Sequence, residues 1–82
     1  MINSLKFIEI IKENSRVYID DKTINWDLSL KDDLGIDSIV VIAILAEIEN
    51  VESIKFSFEA LKEANVKSLG DLWRIVNNAS NN

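Results

Sequence analysis

The stretch Leu34-Gly35-Ile36-Asp37-Ser38-Ile39 decides the fold, because it joins a glycine turn to a long aliphatic run. Asp37 and Ser38 are both residue types that cap helices, since their side-chain oxygens accept hydrogen bonds from the free amides of a first turn. No glycine or proline interrupts residues 39–48. We therefore predict a helix that starts here, with free amides and the positive end of its dipole beside the Ser38 hydroxyl.

This stretch, extended to Asp33-Leu34-Gly35-Ile36-Asp37-Ser38-Ile39, resembles the attachment motif of acyl and peptidyl carrier proteins. In that family the serine receives a 4'-phosphopantetheine arm from coenzyme A, and a thioester cargo is carried on the terminal thiol. The resemblance implies that Ser38 is the attachment residue and Asp37 the acidic residue before it. Aspartate and serine before an apolar run also fit any helix start. The carrier interpretation is favoured because the length, acidity and order of apolar segments resemble the family along nearly the whole chain.

Composition restricts the chain to a small helical domain. It has 82 residues, of which 48% are hydrophobic, with two glycines, no proline and no cysteine. Such a chain can form one compact core without disulfides, and its few turn-forming residues favour helices over sheet. We predict a single all-α domain over residues 1–76 and a polar tail at 77–82. The resemblance implies a four-helix bundle of carrier-protein type, with a long first loop and a short third helix.

Charge and hydropathy exclude several kinds of partner. The formal net charge of -5 opposes nucleic-acid binding, which depends on cationic surfaces. No segment approaches the ~20 apolar residues of a membrane span, and the first residues lack a signal-peptide pattern. We expect a cytoplasmic monomer without a membrane span, whose partners present basic protein surfaces.

The spacing of apolar residues predicts four helices, at about 3–14, 38–50, 57–64 and 68–77. A long loop at about 15–37 joins the first two. The start of the third helix is left open, because the family often has a proline there and this chain has none. The fourth begins with the capping-box pattern Ser68-x-x-Asp71.

Apolar residues at helical spacing are predicted to face the core. In the first helix these are Ile2, Leu5, Ile8 and Ile11, widened by Phe7 and Ile10. In the second helix they are Ile39, Ile42, Leu45 and Ile48. In the fourth helix they are Leu69, Leu72, Trp73 and Val76. The loop anchors implied by the family are Ile24, Leu30 and Leu34. For Trp26 two interpretations stand: its ring covers the core below the loop, or it contacts the cargo or a partner.

The second helix is apolar nearly all round, so part of it should remain exposed for binding. We expect partner enzymes to recognise a surface that consists of Ile36, Asp37, Ile39, Val40 and Val41. Carriers of fatty-acid synthesis have acidic residues two and five positions after the serine, where this chain has Val40 and Ala43. The departure disfavours docking by ion pairs and is more similar to peptidyl or aminoacyl carriers, or to a specialised acyl carrier. Alternatively, both valines pack under the first loop.

The residues argue against an enzyme. Histidine and cysteine are absent, which removes the commonest general base and the commonest strong nucleophile. No metal site is predicted, since the aspartate pairs lack the spacing of a calcium loop. We expect a stand-alone carrier of an acyl, aminoacyl or peptidyl intermediate in a secondary-metabolite pathway. The alternative is a small helical protein-interaction domain without a covalent arm.

The carrier interpretation implies three kinds of partner. A phosphopantetheinyl transferase attaches the arm, and an adenylation or acyltransferase enzyme loads the cargo. Condensing or modifying enzymes then act on it.

Overall fold

The computed structural model describes residues 2–57, 59 and 65–80, and these residues form three helices. Helix α1 spans Ser4–Asn14, α2 spans Ser38–Glu52 and α3 spans Leu69–Ser80. Within this part of the chain there is no strand, so the all-α class is confirmed. The helix predicted at 57–64 lies outside the described residues, apart from 57 and 59, and the count of four helices is not confirmed.

Helix α1 begins because the Asn3 side chain accepts a hydrogen bond from the Lys6 amide, at 2.8 Å. It buries Phe7, Ile10 and Ile11. The prediction that Leu5 faces the core is wrong, because its side chain is 77% exposed. At 100° per residue, Leu5 lies on the far side of the helix from Phe7.

Three aromatic rings cover the core at one side of α1. The Phe7 ring lies 5.0 Å from the Trp73 ring and 6.3 Å from the Trp26 ring, measured between centroids. The two tryptophan rings stack at 6.0 Å. The contacts of Trp26 with Phe7 and Trp73 support the interpretation that its ring covers the core below the loop, with 42% of the residue left exposed.

The first loop is held against α3 by backbone hydrogen bonds rather than by regular structure. The Leu30 amide donates to the Lys67 carbonyl and the Leu69 amide to the Leu28 carbonyl, both at 2.9 Å. Ser29 and Ser68 form a single antiparallel β-bridge between these two segments. Of the expected loop anchors, Leu30 and Leu34 are buried, and Ile24 packs partly buried against the core.

The side of helix α2 that faces the core overlaps only partly with the predicted side. Ile44, Leu45 and Ile48 are buried, whereas Ile39 is 78% exposed and Ile42 49% exposed. The predicted stripe is therefore right for its second half and wrong for Ile39 and Ile42. Because the helix is apolar on every side, spacing alone could not identify which side packs.

Helix α3 begins with the predicted capping box. The Ser68 hydroxyl accepts from the Asp71 amide at 3.1 Å, and the Asp71 carboxylate accepts from the Ser68 amide at 3.0 Å. The helix continues to Ser80, three residues beyond its predicted end at 77 and into the segment predicted as a polar tail. Ala79 packs against the core three residues after buried Val76, which explains the extension.

Candidate functional site

Ser38 is the first residue of α2, and its side chain is exposed. The N-cap is Asp37, whose Oδ1 accepts from the Val40 amide at 3.0 Å. The Asp37 carbonyl accepts from the Val41 amide at 2.9 Å. Because Asp37 alone fills the capping role, the Ser38 hydroxyl is not used to hold the helix. No residue that the structure describes hydrogen-bonds this hydroxyl.

The amides of Ser38 and Ile39 belong to the open first turn of α2. Neither has an acceptor in the described part of the chain. Free amides at a helix start, together with the positive dipole end, favour a negative group nearby. A phosphate ester on the Ser38 oxygen would therefore meet a favourable local field.

The turn before the site is built around Gly35, the only glycine with a positive φ among the described residues, at 66°. A Cβ on Gly35 would lie 3.0 Å from the Cβ of Arg16, so the turn needs glycine for its space as well as its backbone angle. The Leu34 carbonyl accepts from the Arg16 amide at 3.1 Å and from the Ser15 hydroxyl at 2.9 Å. These bonds fix the turn to the end of α1.

Ile36 secures the other side of the turn. Its side chain is 1% exposed, and its amide donates to the Leu30 carbonyl at 2.7 Å. Ile36 therefore lies in the core. The prediction that it belongs to the surface recognised by partner enzymes is wrong. It is an anchor two residues before Ser38, and it fixes where the exposed hydroxyl emerges.

Ser4 provides an internal comparison with Ser38. It is also exposed, and it is also the first residue of a helix whose N-cap side chain accepts from the amide three positions later. Local cap geometry is thus shared by both serines. What distinguishes Ser38 is its surroundings: the Gly35 turn, the apolar exterior of α2 and an adjoining groove.

The exterior of α2 carries a continuous apolar strip next to Ser38. Its exposed members follow the spacing i, i+3, i+4, i+7 and are Ile39, Ile42, Ala43 and Ala46. Asp37 is exposed beside it, while Val40 and Val41 are partly buried. The sequence predicts Ile39 both in the core-facing stripe and on the partner surface, and it predicts Ile42 in the core only. The sequence does contain a signal for this strip, because its two isoleucines and two alanines share one helical spacing. The alanines are small, and the prediction does not count them as part of an exposed apolar surface.

A groove of about 390 Å³ adjoins Ser38 between the first loop, the start of α2 and the residues before α3. Its lining comprises Ser29, Leu30, Lys31, Asp32, Ile36, Asp37, Ser38, Val41, Val66 and Lys67. The sequence reasoning missed this groove, because Val66 and Lys67 reach it only through the pairing of the loop with the start of α3.

The Asp71 carboxylate fixes the backbone at the far side of this groove. Its Oδ2 accepts from the Lys67 amide at 3.1 Å as well as from the Ser68 amide. The backbone hydrogen bond from Ser68, followed by that from Lys67, lowers the pKa of Asp71 below its ordinary value of 3.8. Folding therefore favours the ionised carboxylate.

The described residues offer neither a cluster of metal ligands nor a membrane-spanning helix. They contain no group of three or more acidic side chains arranged to hold a metal ion. None of their helices has the length and apolar character that a membrane crossing requires.

The family model described as phosphopantetheine attachment site matches residues 6–73 of the chain. The match includes the Gly35 turn, the start of α2 and the residues that line the groove. No curated protein and no solved structure matched the chain.

Proposed function

The chain belongs to the phosphopantetheine attachment site family, and from this membership we propose that Ser38 is the residue that receives the arm. The cofactor of the family is covalently bound 4'-phosphopantetheine, derived from coenzyme A. The observation that carries the assignment is the setting of the exposed Ser38 hydroxyl, which the helix cap does not use and which adjoins the Gly35 turn, the apolar strip of α2 and the groove.

The surroundings of Ser38 fit the chemistry of attachment. The Ser38 oxygen forms a bond to phosphorus while the pyrophosphate linkage of coenzyme A breaks, so that adenosine 3',5'-bisphosphate leaves. The hydroxyl proton passes to the transferase, because this chain has no histidine and the carboxylate that precedes Ser38 in sequence, Asp37, is engaged as the cap. The role of this chain is to present the oxygen and to accommodate the resulting anion.

The bound arm supplies a thiol that carries the cargo as a thioester. We propose an acyl, aminoacyl or peptidyl cargo in a specialised biosynthetic pathway, with loading by an adenylation or acyltransferase enzyme and later condensing or modifying enzymes. The chain itself acts as a carrier and not as a catalyst. It raises the effective concentration of the cargo at each partner.

Partner recognition is assigned to the exposed apolar strip of α2 with Asp37. The strip lies directly beside Ser38, and its Ala43 stands at one of the two positions where an acidic carrier would have a carboxylate. A partner surface that meets it should therefore be apolar at its centre. Since coenzyme A is an intracellular cofactor, we propose that the protein is cytoplasmic. We also propose that it is a monomer.

A second candidate function is a protein-interaction domain without an arm, favoured by the same strip. The two functions are separated by incubation with coenzyme A and a broad-specificity phosphopantetheinyl transferase, followed by intact mass spectrometry. The carrier function predicts the gain of one phosphopantetheinyl group.

Matched serine variants make this test specific. Ser38→Ala should gain nothing while keeping its helical circular dichroism, and Ser4→Ala should be modified like the original chain. A folded chain that remains unmodified with an active transferase would support the interaction domain instead.

A further inference from the structure

The groove beside Ser38 combines an apolar floor with two cationic side chains. The accessible part of its apolar floor is formed by the partly buried Val41 and Val66, which adjoin the buried Leu30 and Ile36, and its lysines are Lys31 and Lys67. Ser38 is one of the residues that line the same groove, so a group attached to its oxygen starts next to it. The volume of about 390 Å³ falls within the range of ~300–1,000 Å³ typical of small-molecule sites.

The two lysines are available to an anion. The ion pairs formed among the described residues use Lys6, Lys12 and Arg74, and neither groove lysine takes part in one. Both lysine residues are exposed. Asp32 and Asp37 also line the groove, and Asp37 is held as the helix cap. The chain as a whole has a net charge of -5, whereas the charges of the two carboxylates and the two lysines in the groove cancel. The free amides at the start of α2 then give the groove a partial positive charge.

The backbone that carries the lysines is held in place. The Leu30 amide bonds the Lys67 carbonyl, which fixes the residue before Lys31 against Lys67. The Lys67 amide is held in turn by the Asp71 carboxylate. Little further backbone ordering is therefore needed when a ligand enters, and this lowers the entropic cost of binding.

The part of the arm nearest to Ser38 has matching chemistry. It starts with a phosphodiester, which carries a negative charge, and continues with a pantoyl unit that bears two methyl groups on one carbon. We propose that this proximal part of the arm lies in the groove, with the phosphodiester between Lys31 and Lys67 and the two methyl groups on the apolar floor. The proposal rests on attachment at Ser38. The thiol end, with its cargo, stays outside and remains accessible to partners.

The proposal is tested by comparing amide NMR spectra of the unmodified and the arm-bearing chain. Attachment should shift the Val41 and Val66 amides in the groove, in addition to those of residues 37–39. The double variant Lys31→Gln/Lys67→Gln should reduce the groove shifts, because the loss of two exposed charge pairs lowers the equilibrium constant for docking of the arm by about two- to thirty-fold. Raising the salt concentration to about 1 M should reduce them in the original chain as well, because the Debye length then falls to ~3 Å.

The double variant Lys22→Gln/Lys55→Gln is the matched control, because it removes the same charge from exposed positions outside the groove. It should keep the full groove shifts. Intact mass of each sample shows whether the arm is attached. A modified chain whose shifts stop at residues 37–39, or whose groove shifts survive both the lysine changes and high salt, overturns the groove proposal alone. A chain that accepts no arm overturns both the attachment and the groove.

Discussion

The substitution Gly35→Ala tests whether the turn before Ser38 is built as described. The residue has φ of 66°, and a methyl group there would lie 3.0 Å from the Arg16 Cβ. The left-handed backbone costs alanine ~1–2 kcal/mol. Overpacking against Arg16 costs a further ~1–3 kcal/mol. Alanine also lowers the conformational entropy of the unfolded chain, which offsets ~0.4–1 kcal/mol of the total cost.

We expect Gly35→Ala to lower the free energy of unfolding by about 1–4.5 kcal/mol, which corresponds to a fall in Tm of roughly 4–36 °C for a domain of this size. Thermal unfolding followed by circular dichroism measures the change. A second pair of proteins separates its two causes. In an Arg16→Gly background the contact is gone, so Gly35→Ala should cost less there, retaining only the backbone contribution.

Two results would refute this reasoning. A Gly35→Ala chain that melts within about 2 °C of the original would show that the turn does not require a positive φ. An equal cost in the presence and absence of the Arg16 side chain would show that the end of α1 does not pack on the turn.

Three further predictions concern the cap, the core and acid stability. Asp37→Ala should cost ~1 kcal/mol in urea unfolding, whereas Asp37→Asn should retain stability because asparagine caps equally well; equal losses would show that charge, not capping, stabilises α2. Ile44→Ala should cost ~2–5 kcal/mol and Ile42→Ala less than about 0.5 kcal/mol in the same assay, because only Ile44 is buried; the reverse order would place the core on the other side of α2. Because the folded pKa of Asp71 is lowered, its contribution to stability is complete above its ordinary value of 3.8 and is lost as the pH falls through the lower folded value. Asp71→Asn should therefore weaken the decline in stability below that pH, and an unchanged acid profile would contradict the assigned hydrogen bonds.

Helix starts could be predicted from the sequence because their signals are local. Asp37 and the pair Ser68 and Asp71 cap their helices through bonds that span three residues. Such contacts depend on residue type and spacing, both of which the sequence displays. The position of Ser38 at a helix start follows from the same short-range chemistry.

The orientation of α2 could not be predicted in this way. Its aliphatic residues surround the helix, so the buried side is chosen by packing against distant segments. The spacing therefore predicts Ile39 and Ile42 in the core, although Ile39 is also predicted on the partner surface, and Ile36 is predicted on that surface although it is buried. The bulk of Phe7, packed against Trp26 and Trp73, similarly places Leu5 outside.

The groove depends on contacts even further apart in sequence. It exists because Leu28 and Leu30 pair with the segment before α3 and bring Lys67 toward Ser38. No local pattern indicates this pairing. The exposed position of the Ser38 hydroxyl at a helix start was therefore predictable from the sequence, while the surface that surrounds it was not.

The most direct test of the account is to locate the arm within the chain. After modification by the transferase, the protein is digested and its peptides are sequenced by tandem mass spectrometry. The account predicts one phosphopantetheinyl group, on the Ser38 oxygen, with Ser4 unmodified in the same sample. An arm found on any other residue, or a folded chain with no modified peptide, would contradict it.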